Sequence, residues 1–336
     1  MTYTIEKVTT LIGARRYGLH DANIGFLLTD SRSLCFPEET LFFALKSGRN
    51  DGHRYIADLY RRGVRNFVVT DVPQSFDTVY PEANFLKVTD TCEALQRLAE
   101  RHRDAFNIPI VGITGSNGKT IVKEWLYQVL SPDRYVTRSP RSYNSQIGVP
   151  LSVWLLNSDS QVGIFEAGIS EPDEMLALRD IIQPTIAVLT NLGQAHQENF
   201  TSMEQKCREK LVLFHDAQTI VYPADDNTVR HVIAESDYRG ERLYWSTTDE
   251  HAPMFVKRIE KHEEATTVTY IYNGAKEQKF SIPFIDDASI EDAIVTAIVA
   301  LRSGVDAKTL ADRMMQLEPA AMRLAAPAGR PGRTPT

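Results

Sequence analysis

The sequence predicts an α/β protein, in which a small N-terminal α/β domain precedes a central domain with a doubly wound, mostly parallel sheet and a β-hairpin extension. Three observations support this fold class. The 336 residues suffice for two domains of about 150 residues each. Between residues 108 and 222, runs that are apolar throughout alternate with helical patterns, as in parallel sheets covered on both faces. Beyond Arg242 the apolar period changes to two, which is typical of antiparallel strands.

The N-terminal domain is predicted over residues 1–89. Short apolar runs predict strands over Leu41–Leu45 and Asn66–Thr70, and helical spacing predicts a helix over Tyr55–Arg62 between them. A third apolar run, Ala83–Val88, closes the domain.

Asp90 is placed to cap a further helix. The apolar face of this helix is predicted to comprise Leu95, Leu98, Ala99 and Phe106. We predict the domain boundary at the start of the helix, so that the central domain covers residues 90–324.

The central domain repeats the order strand, turn and helix. Its predicted strands are Pro109–Ile113, Val162–Phe165, Thr185–Thr190 and Thr219–Tyr222. One predicted helix begins at Gly118, and two more cover Glu174–Ile182 and Met203–Phe214.

The end of the central domain combines a hairpin and a helix. Apolar residues alternate over 268–272 and 280–282, and Asn273-Gly274 between them favours a tight turn. The helix that follows ends before Gly304. Its predicted buried face comprises Ile290, Ile294, Ala297, Ile298 and Leu301. Residues 325–336 contain no large apolar side chain, and we predict a disordered tail there.

Composition excludes several classes of function. The 37 Lys and Arg residues against 44 Asp and Glu give a net charge of −7 without a basic tract, so we expect no nucleic-acid partner. No apolar run approaches the roughly 20 residues of a membrane span, and the first ten residues lack the apolar core of a signal peptide. Three separate cysteines (Cys35, Cys92 and Cys207) exclude a disulfide scaffold and fit the cytoplasm.

The strongest chemical signal is the run from Val111 to Thr120, VGITGSNGKT, between a predicted strand and a predicted helix. In such a loop the backbone N–H groups face phosphate oxygens, the lysine contacts the β- and γ-phosphates and the threonine hydroxyl binds Mg²⁺. Ile113 stands where the general motif has glycine. A chance glycine-rich turn is the alternative, which the flanking elements disfavour. We predict a P-loop, residues 115–120, that binds ATP and Mg²⁺. Its residues are Gly115, Ser116, Asn117, Gly118, Lys119 and Thr120.

Two further residues follow predicted strands. Glu166 ends the strand at Val162–Phe165, where a second magnesium-directed group belongs, although a solvated glutamate is the alternative. His196 follows the strand at Thr185–Thr190 and would lie at the same sheet edge as Lys119. A single loop histidine is otherwise more often incidental. Signalling GTPases are disfavoured because their Asp-x-x-Gly and Asn-Lys-x-Asp motifs are absent from the sequence.

Together these motifs resemble the Mur ligases, which add amino acids to the peptidoglycan precursor. The matching segments of the central domain are Gly112–Thr120, Asn144–Pro150, Glu166–Gly168 and Asn191–His196. Those of the N-terminal domain are Asp30–Arg32, Leu41–Lys46 and Asp51–His53, which resemble the uridine-nucleotide domain of family members that act late on the precursor. The resemblance extends from Thr29 to Leu324.

The resemblance implies roles for individual residues. Those implied to be catalytic are Lys119, Lys210 and His196. Those implied to hold two Mg²⁺ ions are Thr120, Glu166, His196 and Lys210, the last as a carbamate formed with CO2. Those implied to bind ATP are the P-loop, Asn144, Asp292 and Arg323, and Ser31 and Arg32 are implied to bind the UDP-sugar. Lys206, one turn before Lys210, is a rival for the carbamate, and either lysine could be solvated. Asp292 replaces an adenine-contacting asparagine of the family, which puts its role in doubt because a carboxylate donates no hydrogen bond.

The resemblance also implies an activity and partners. It points to an ATP-dependent amide ligase that joins D-Ala-D-Ala to UDP-MurNAc-tripeptide through an acyl phosphate, similar to forms fused to an alanine racemase domain. Members of the family carry a third domain after the position of Arg323. Because the likeness ends at Leu324, we expect a truncated chain with impaired ligation. A nucleotide- or UDP-sugar-binding remnant without turnover and a Mur ligase of the preceding step remain as alternatives.

Overall fold

The computed structural model describes residues 2–48, 50–195 and 197–319. The chain forms two compact units. The first comprises Met1–Asn107 and Gln146–Ser158, and the second comprises Ile108–Ser145 and Asp159–Thr336.

The first unit is a small α/β domain. Its strands are β1 (Tyr3–Thr4), β2 (Arg15–Tyr17), β3 (Asn23–Ile24), β4 (Phe26–Leu28), β5 (Thr40–Phe43), β6 (Lys46–Ser47), β7 (Asn50–Asp51), β8 (Asn66–Val69) and β9 (Asn84–Lys87). Its helices are α1 (Ile5–Ile12), α2 (Ile56–Arg61), α3 (Phe76–Val79), α4 (Thr91–Arg103) and, after an excursion into the second unit, α6 (Gly148–Val153).

Its main sheet has the order β2-β9-β8-β5-β4, in which β2 is antiparallel and the other pairs are parallel. Successive side chains of a strand point to opposite faces. Along β5, Leu41 and Phe43 therefore pack with α1 and α4, whereas Phe42 packs with α2. All three are fully buried, which confirms the predicted strand.

Helix α4 corrects the predicted domain boundary. Asp90 caps it as predicted, because its carboxylate accepts hydrogen bonds from the N–H groups of Cys92 and Glu93. Leu95 and Leu98 of α4 lie in the core of the first unit. The first stretch of this unit therefore ends at Asn107 along the chain, and not at residue 89. One residue of the predicted apolar face, Phe106, lies outside the helix, because α4 ends at Arg103.

The second unit contains the predicted alternation of strands and helices. Its strands are β10 (Ile110–Thr114), β11 (Val136–Arg138), β12 (Val162–Glu166), β13 (Ile186–Leu189), β14 (Thr219–Pro223), β15 (Glu241–Ser246), β16 (Met254–Lys261), β17 (Thr266–Tyr272) and β18 (Gln278–Ile282). Its helices are α5 (Lys119–Leu130), α7 (Met175–Ile182), α8 (Met203–Leu211), α9 (Asn227–Ala234), α10 (Asp287–Arg302) and α11 (Ala307–Met314).

These nine strands form one sheet in the order β11-β12-β10-β13-β14-β15-β16-β17-β18. The pairs from β11 to β16 are parallel, and β16, β17 and β18 pair antiparallel. The mostly parallel sheet and the hairpin of β17 and β18 are therefore confirmed. The parallel part also includes β15 and β16, which the sequence had not assigned to it.

Helix α10 is buried more completely than predicted. It packs against α5 and α11, and Ile290 as well as every residue from Asp292 to Ala300 is buried. A helix that is enclosed on all sides does not require a polar face, so the predicted apolar face includes only some of the buried residues of α10.

Among the described residues, no helix is both long and apolar enough to cross a bilayer. The predicted tail, residues 325–336, and Arg323 lie outside the described residues, as does His196.

Candidate functional site

The P-loop connects β10 to α5, as the sequence predicts, and lies beside the loop that follows β13. Gly118 precedes α5 with a left-handed backbone, φ 79°. A Cβ atom at this position would lie 2.1 Å from Oδ1 of Asp292, so the conformation and the close packing both require glycine.

The loop after β13 holds the P-loop in place. The Asn191 carbonyl accepts a hydrogen bond from the Ser116 N–H at 3.1 Å, and Oδ1 of Asn191 accepts one from the Asn117 N–H at 3.0 Å. The Thr190 hydroxyl donates to the Asn117 carbonyl. These contacts fix the loop between the strand and the helix.

Lys119 extends along the P-loop. Its Nζ donates a hydrogen bond to the Gly115 carbonyl at 2.9 Å. Burial lowers the pKa of Lys119, and the Glu166 charge partly opposes this shift. The chain therefore places a cation, partly removed from water, within a loop of backbone donors, which suits a phosphate anion.

Thr120 and Glu166 meet beside the P-loop. The Thr120 hydroxyl donates to Oε2 of Glu166 at 3.0 Å, and the Ser142 hydroxyl lies 3.1 Å from the Thr120 oxygen. Glu166 is fully buried at the carboxyl end of β12, the strand next to β10. The structure therefore brings these two residues, both singled out from the sequence, into contact.

The donor set at this point suits Mg²⁺. In the part of the chain that the structure describes, no group of three or more His, Cys, Asp or Glu side chains could hold a metal. Mg²⁺ in nucleotide sites uses one or two carboxylates together with the substrate phosphates. The hydroxyl of Thr120 and the buried carboxylate of Glu166 therefore fit an ion that is held mainly by a nucleotide.

Two lysines of α8 approach the same loops. Nζ of Lys210 is 3.3 Å from the Gly115 carbonyl, and burial together with the cations of Lys119 and Lys206 lowers the pKa of Lys210 to about 7. Nζ of Lys206 donates to the carbonyls of Gly193, at 2.6 Å, and Ala195. Lys210 thus faces the P-loop, whereas Lys206 holds the loop after β13.

Asn144 contacts the segment that follows β12, and Asp292 contacts the P-loop. The Asn144 carbonyl accepts a hydrogen bond from the Gly168 N–H at 2.8 Å, just after the strand that carries Glu166. Asp292 is buried beneath the P-loop, against Gly118. Burial, with the charges of Glu291 and Asp286, raises the pKa of Asp292 to about 7.

Ser31 and Arg32 belong to the first unit, in the turn that follows β4. The guanidinium of Arg32 is exposed and pairs with Asp30 at 2.6 Å, which lowers the pKa of Asp30 to about 2. The Ser31 carbonyl accepts a hydrogen bond from Arg62 at 2.8 Å. The carboxyl ends of β4, β5 and β8 share this edge of the sheet.

The sequence analysis missed Lys123, which lies on α5 one turn after Lys119. Its ammonium is 2.9 Å from Oε1 of Glu166, and its side chain is fully buried. The spacing of four residues from Lys119 was a usable signal, because residues i and i+4 share one face of a helix.

Comparison with known proteins gives a consistent result. The profile of the Mur ligase middle domain matches residues 113–300. The UDP-N-acetylmuramoyl-tripeptide–D-alanyl-D-alanine ligase of Bacillus subtilis is 26% identical over 303 residues, which are 88% of this chain and 62% of that protein. The ligase of the same name from Synechocystis sp. is 40% identical over 229 residues, which are 66% of this chain and 48% of that protein.

The fold is also found in a solved structure. The crystal structure of MurF ligase from Thermotoga maritima in complex with ADP superposes with a TM-score of 0.74 at 24% sequence identity, over 85% of this chain and 65% of that chain. The chain spans less than two thirds of the length of each of these three proteins.

Proposed function

Because the chain belongs to the Mur ligase family, we propose that it acts as an ATP-dependent amide ligase of peptidoglycan precursor synthesis, which joins D-Ala-D-Ala to UDP-MurNAc-tripeptide. The observation that carries the proposal is the contact between Thr120 and Glu166 beside Lys119, which resembles the hydroxyl and carboxylate that hold Mg²⁺ in P-loop enzymes that transfer phosphoryl groups. The names of the two relatives, in Bacillus subtilis and Synechocystis, support the choice of substrates.

The proposed reaction has two steps. An oxygen of the terminal tripeptide carboxylate attacks the γ-phosphorus of ATP, the bond to the bridging oxygen breaks and ADP leaves. The amine of D-Ala-D-Ala then attacks the acyl carbon, inorganic phosphate leaves and the amine loses a proton. We place this reaction in the cytoplasm, where ATP is available.

The residues of the second unit would contribute mainly charge and position. The N–H groups at the start of α5 and Lys119 would bind the phosphates, so that negative charge developing during transfer meets fixed donors. Bound Mg²⁺ would neutralise phosphate charge, and Thr120 and Glu166 are the described residues that would hold it.

Lys210 is the proposed site of carbamylation. A neutral amine attacks CO2, the new N–C bond forms and a proton is lost, which leaves an anionic carboxylate in place of an ammonium. Burial favours this reaction because it lowers the pKa of Lys210 to about 7. The adjacent cations, Lys119 and Lys206, would stabilise the carbamate, whose oxygens suit a second Mg²⁺.

We further propose that the first unit binds the UDP-sugar at the edge where Ser31 and Arg32 lie, as the family resemblance implies. The roles of His196, Asn144, Asp292 and Arg323 stay predictions, and so does an alanine racemase domain in the full-length protein.

Measurement of ADP release tests the proposal. We expect UDP-MurNAc-tripeptide to stimulate ADP release from ATP in the presence of Mg²⁺, and UDP-MurNAc-dipeptide to have no effect. Stimulation by the dipeptide alone would favour the preceding ligation step. No stimulation by either substrate would contradict the proposed activity.

A further inference from the structure

Lys123 is a fully buried charged side chain next to the candidate site, and the proposed reaction does not use it. Its side chain is 0% exposed. Lysines are almost never fully buried unless they are paired, because an unpaired ammonium loses its hydration without compensation.

The Lys123 ammonium has three partners. It lies 2.9 Å from Oε1 of Glu166 and 3.2 Å from Oε1 of Glu124, and it donates a hydrogen bond to the Arg141 carbonyl. The contact with Glu166 is an ion pair whose angle falls outside hydrogen-bond geometry. Both oxygens of Glu166 are therefore engaged, Oε1 by Lys123 and Oε2 by Thr120.

The third contact fixes a turn. Arg141 has a left-handed backbone, φ 50°, which is unfavourable for a residue with a side chain. Its carbonyl accepts the hydrogen bond from Lys123, and the next residue, Ser142, lies 3.1 Å from the Thr120 hydroxyl oxygen. Lys123 thus connects α5, β12 and the turn at Arg141.

The local charges balance. Glu124 is also buried, and the Arg138 guanidinium contacts both its carboxylate oxygens at 3.0–3.1 Å. Two cations, Lys123 and Arg138, therefore neutralise two carboxylates, Glu124 and Glu166. This arrangement allows Glu166 to remain buried beside a second acid.

We propose that Lys123 is a positioning residue for Glu166. By engaging Oε1, it leaves Oε2, the oxygen next to Thr120, as the single carboxylate oxygen directed to the metal-binding end of the site. The inference rests on the proposed magnesium role of Thr120 and Glu166. Loss of Lys123 should therefore lower the affinity for ATP in the presence of Mg²⁺ and should leave the affinity for ATP alone unchanged.

The test is calorimetric titration of the protein with ATP, once in excess Mg²⁺ and once in EDTA. The ratio of the two affinities measures the contribution of magnesium. We expect Lys123→Met to lower this ratio about ten- to hundredfold, the range found for residues that orient metal ligands, with little change in EDTA. Lys123→Arg, which keeps the cation, should restore most of the ratio.

Glu124→Gln is the matched control. Glu124 is the other carboxylate partner of Lys123, and its own cation partners are Lys123 and Arg138. The substitution should therefore lower the melting temperature and leave the magnesium ratio unchanged. If Lys123→Met does not fold, Lys123→Gln provides the same comparison with a neutral donor in place of the ammonium.

A double-mutant cycle decides whether Lys123 acts through Glu166. Glu166→Gln should lower the ratio by itself, and the addition of Lys123→Met should cause no further loss. An unchanged ratio in Lys123→Met or Lys123→Gln, or additive losses in the double variant, would overturn the inference. ATP binding that is insensitive to magnesium and to Lys119→Ala in the otherwise unaltered protein would instead contradict the proposed function.

Discussion

The Thr120 hydroxyl donates a hydrogen bond to Oε2 of Glu166 at 3.0 Å, although the two residues are 46 positions apart. Two elements create this contact: α5 begins at Lys119, within the P-loop, and β12 lies parallel to β10 so that both strands end at the same edge. The contact joins a hydroxyl and a carboxylate, the two groups that we propose to hold Mg²⁺, and most of the predictions below test the site around it.

Removal of the P-loop lysine should weaken nucleotide binding. We expect Lys119→Ala to lower the affinity for ATP in Mg²⁺ at least about tenfold, because a charge-assisted contact contributes about 1.5–3 kcal/mol. Calorimetry would measure the loss. Lys308→Ala, at an exposed position of α11, is the control and should bind ATP normally. Equal affinities for the Lys119 and Lys308 variants would contradict the P-loop assignment.

Carbamylation should occur at Lys210. With ¹³C-labelled bicarbonate, we expect a carbamate carbon signal in the NMR spectrum that Lys210→Ala abolishes and Lys206→Ala retains. The depressed pKa of about 7 leaves an appreciable fraction of neutral amine near neutral pH. A signal that persists in Lys210→Ala and disappears in Lys206→Ala would assign the carbamate to Lys206.

Asp292 should make stability depend on pH. Its pKa in the folded chain is raised to about 7, from a reference value of 3.8, so between these values the folded chain holds a proton that the unfolded chain has released. The free energy of unfolding should therefore fall as pH rises through this window, by up to about 1.4 kcal/mol per pH unit, and should level off above it.

Asp292→Asn removes the titrating carboxyl group, so the free energy of unfolding of this variant should lack the pH dependence that Asp292 causes. Urea denaturation should show that the advantage of the Asn variant over the unaltered protein grows from about pH 5 to about pH 7.5, in line with the linkage relation. A difference that stays constant across this range would show that Asp292 titrates normally in the folded protein.

Gly118→Ala should destabilise the protein more than a substitution at an open glycine. At Gly118 a Cβ meets the Asp292 carboxylate at 2.1 Å in a left-handed backbone, whereas at Gly274, φ 69°, it meets nothing within 4 Å. Gly274→Ala should cost about 1–2 kcal/mol for the conformation alone, and Gly118→Ala clearly more. Urea denaturation of the two variants makes the comparison, and equal losses would contradict it.

The sequence predicted the elements whose signals are local. The P-loop, the strand that ends at Glu166 and the hairpin turn at Asn273-Gly274 each depend on a short motif or a regular period, and the structure has all of them. Helix α4 was also predicted, but its allocation to the first unit depends on contacts of Leu95 and Leu98 with distant residues such as Phe43, which no local pattern encodes.

The charged interior was harder to predict. A lysine in a helix is ordinarily solvated, so the spacing of four residues from Lys119 was the one local signal for Lys123. Its burial depends on partners that β12 and the turn at Arg141 supply. Lys206 and Lys210 are chemically equivalent in the sequence. Their different carbonyl partners, at Gly193 and Gly115, follow from the positions of two loops and distinguish them only in three dimensions.

The proposed function depends on formation of an acyl phosphate, which hydroxylamine trapping detects. With ATP, Mg²⁺, UDP-MurNAc-tripeptide and hydroxylamine, we expect a tripeptide hydroxamate that mass spectrometry detects and that requires Lys119. This assay does not need the second amine substrate, so it isolates the step that the P-loop, Thr120 and Glu166 would catalyse. ATP binding without any hydroxamate would contradict the proposed function.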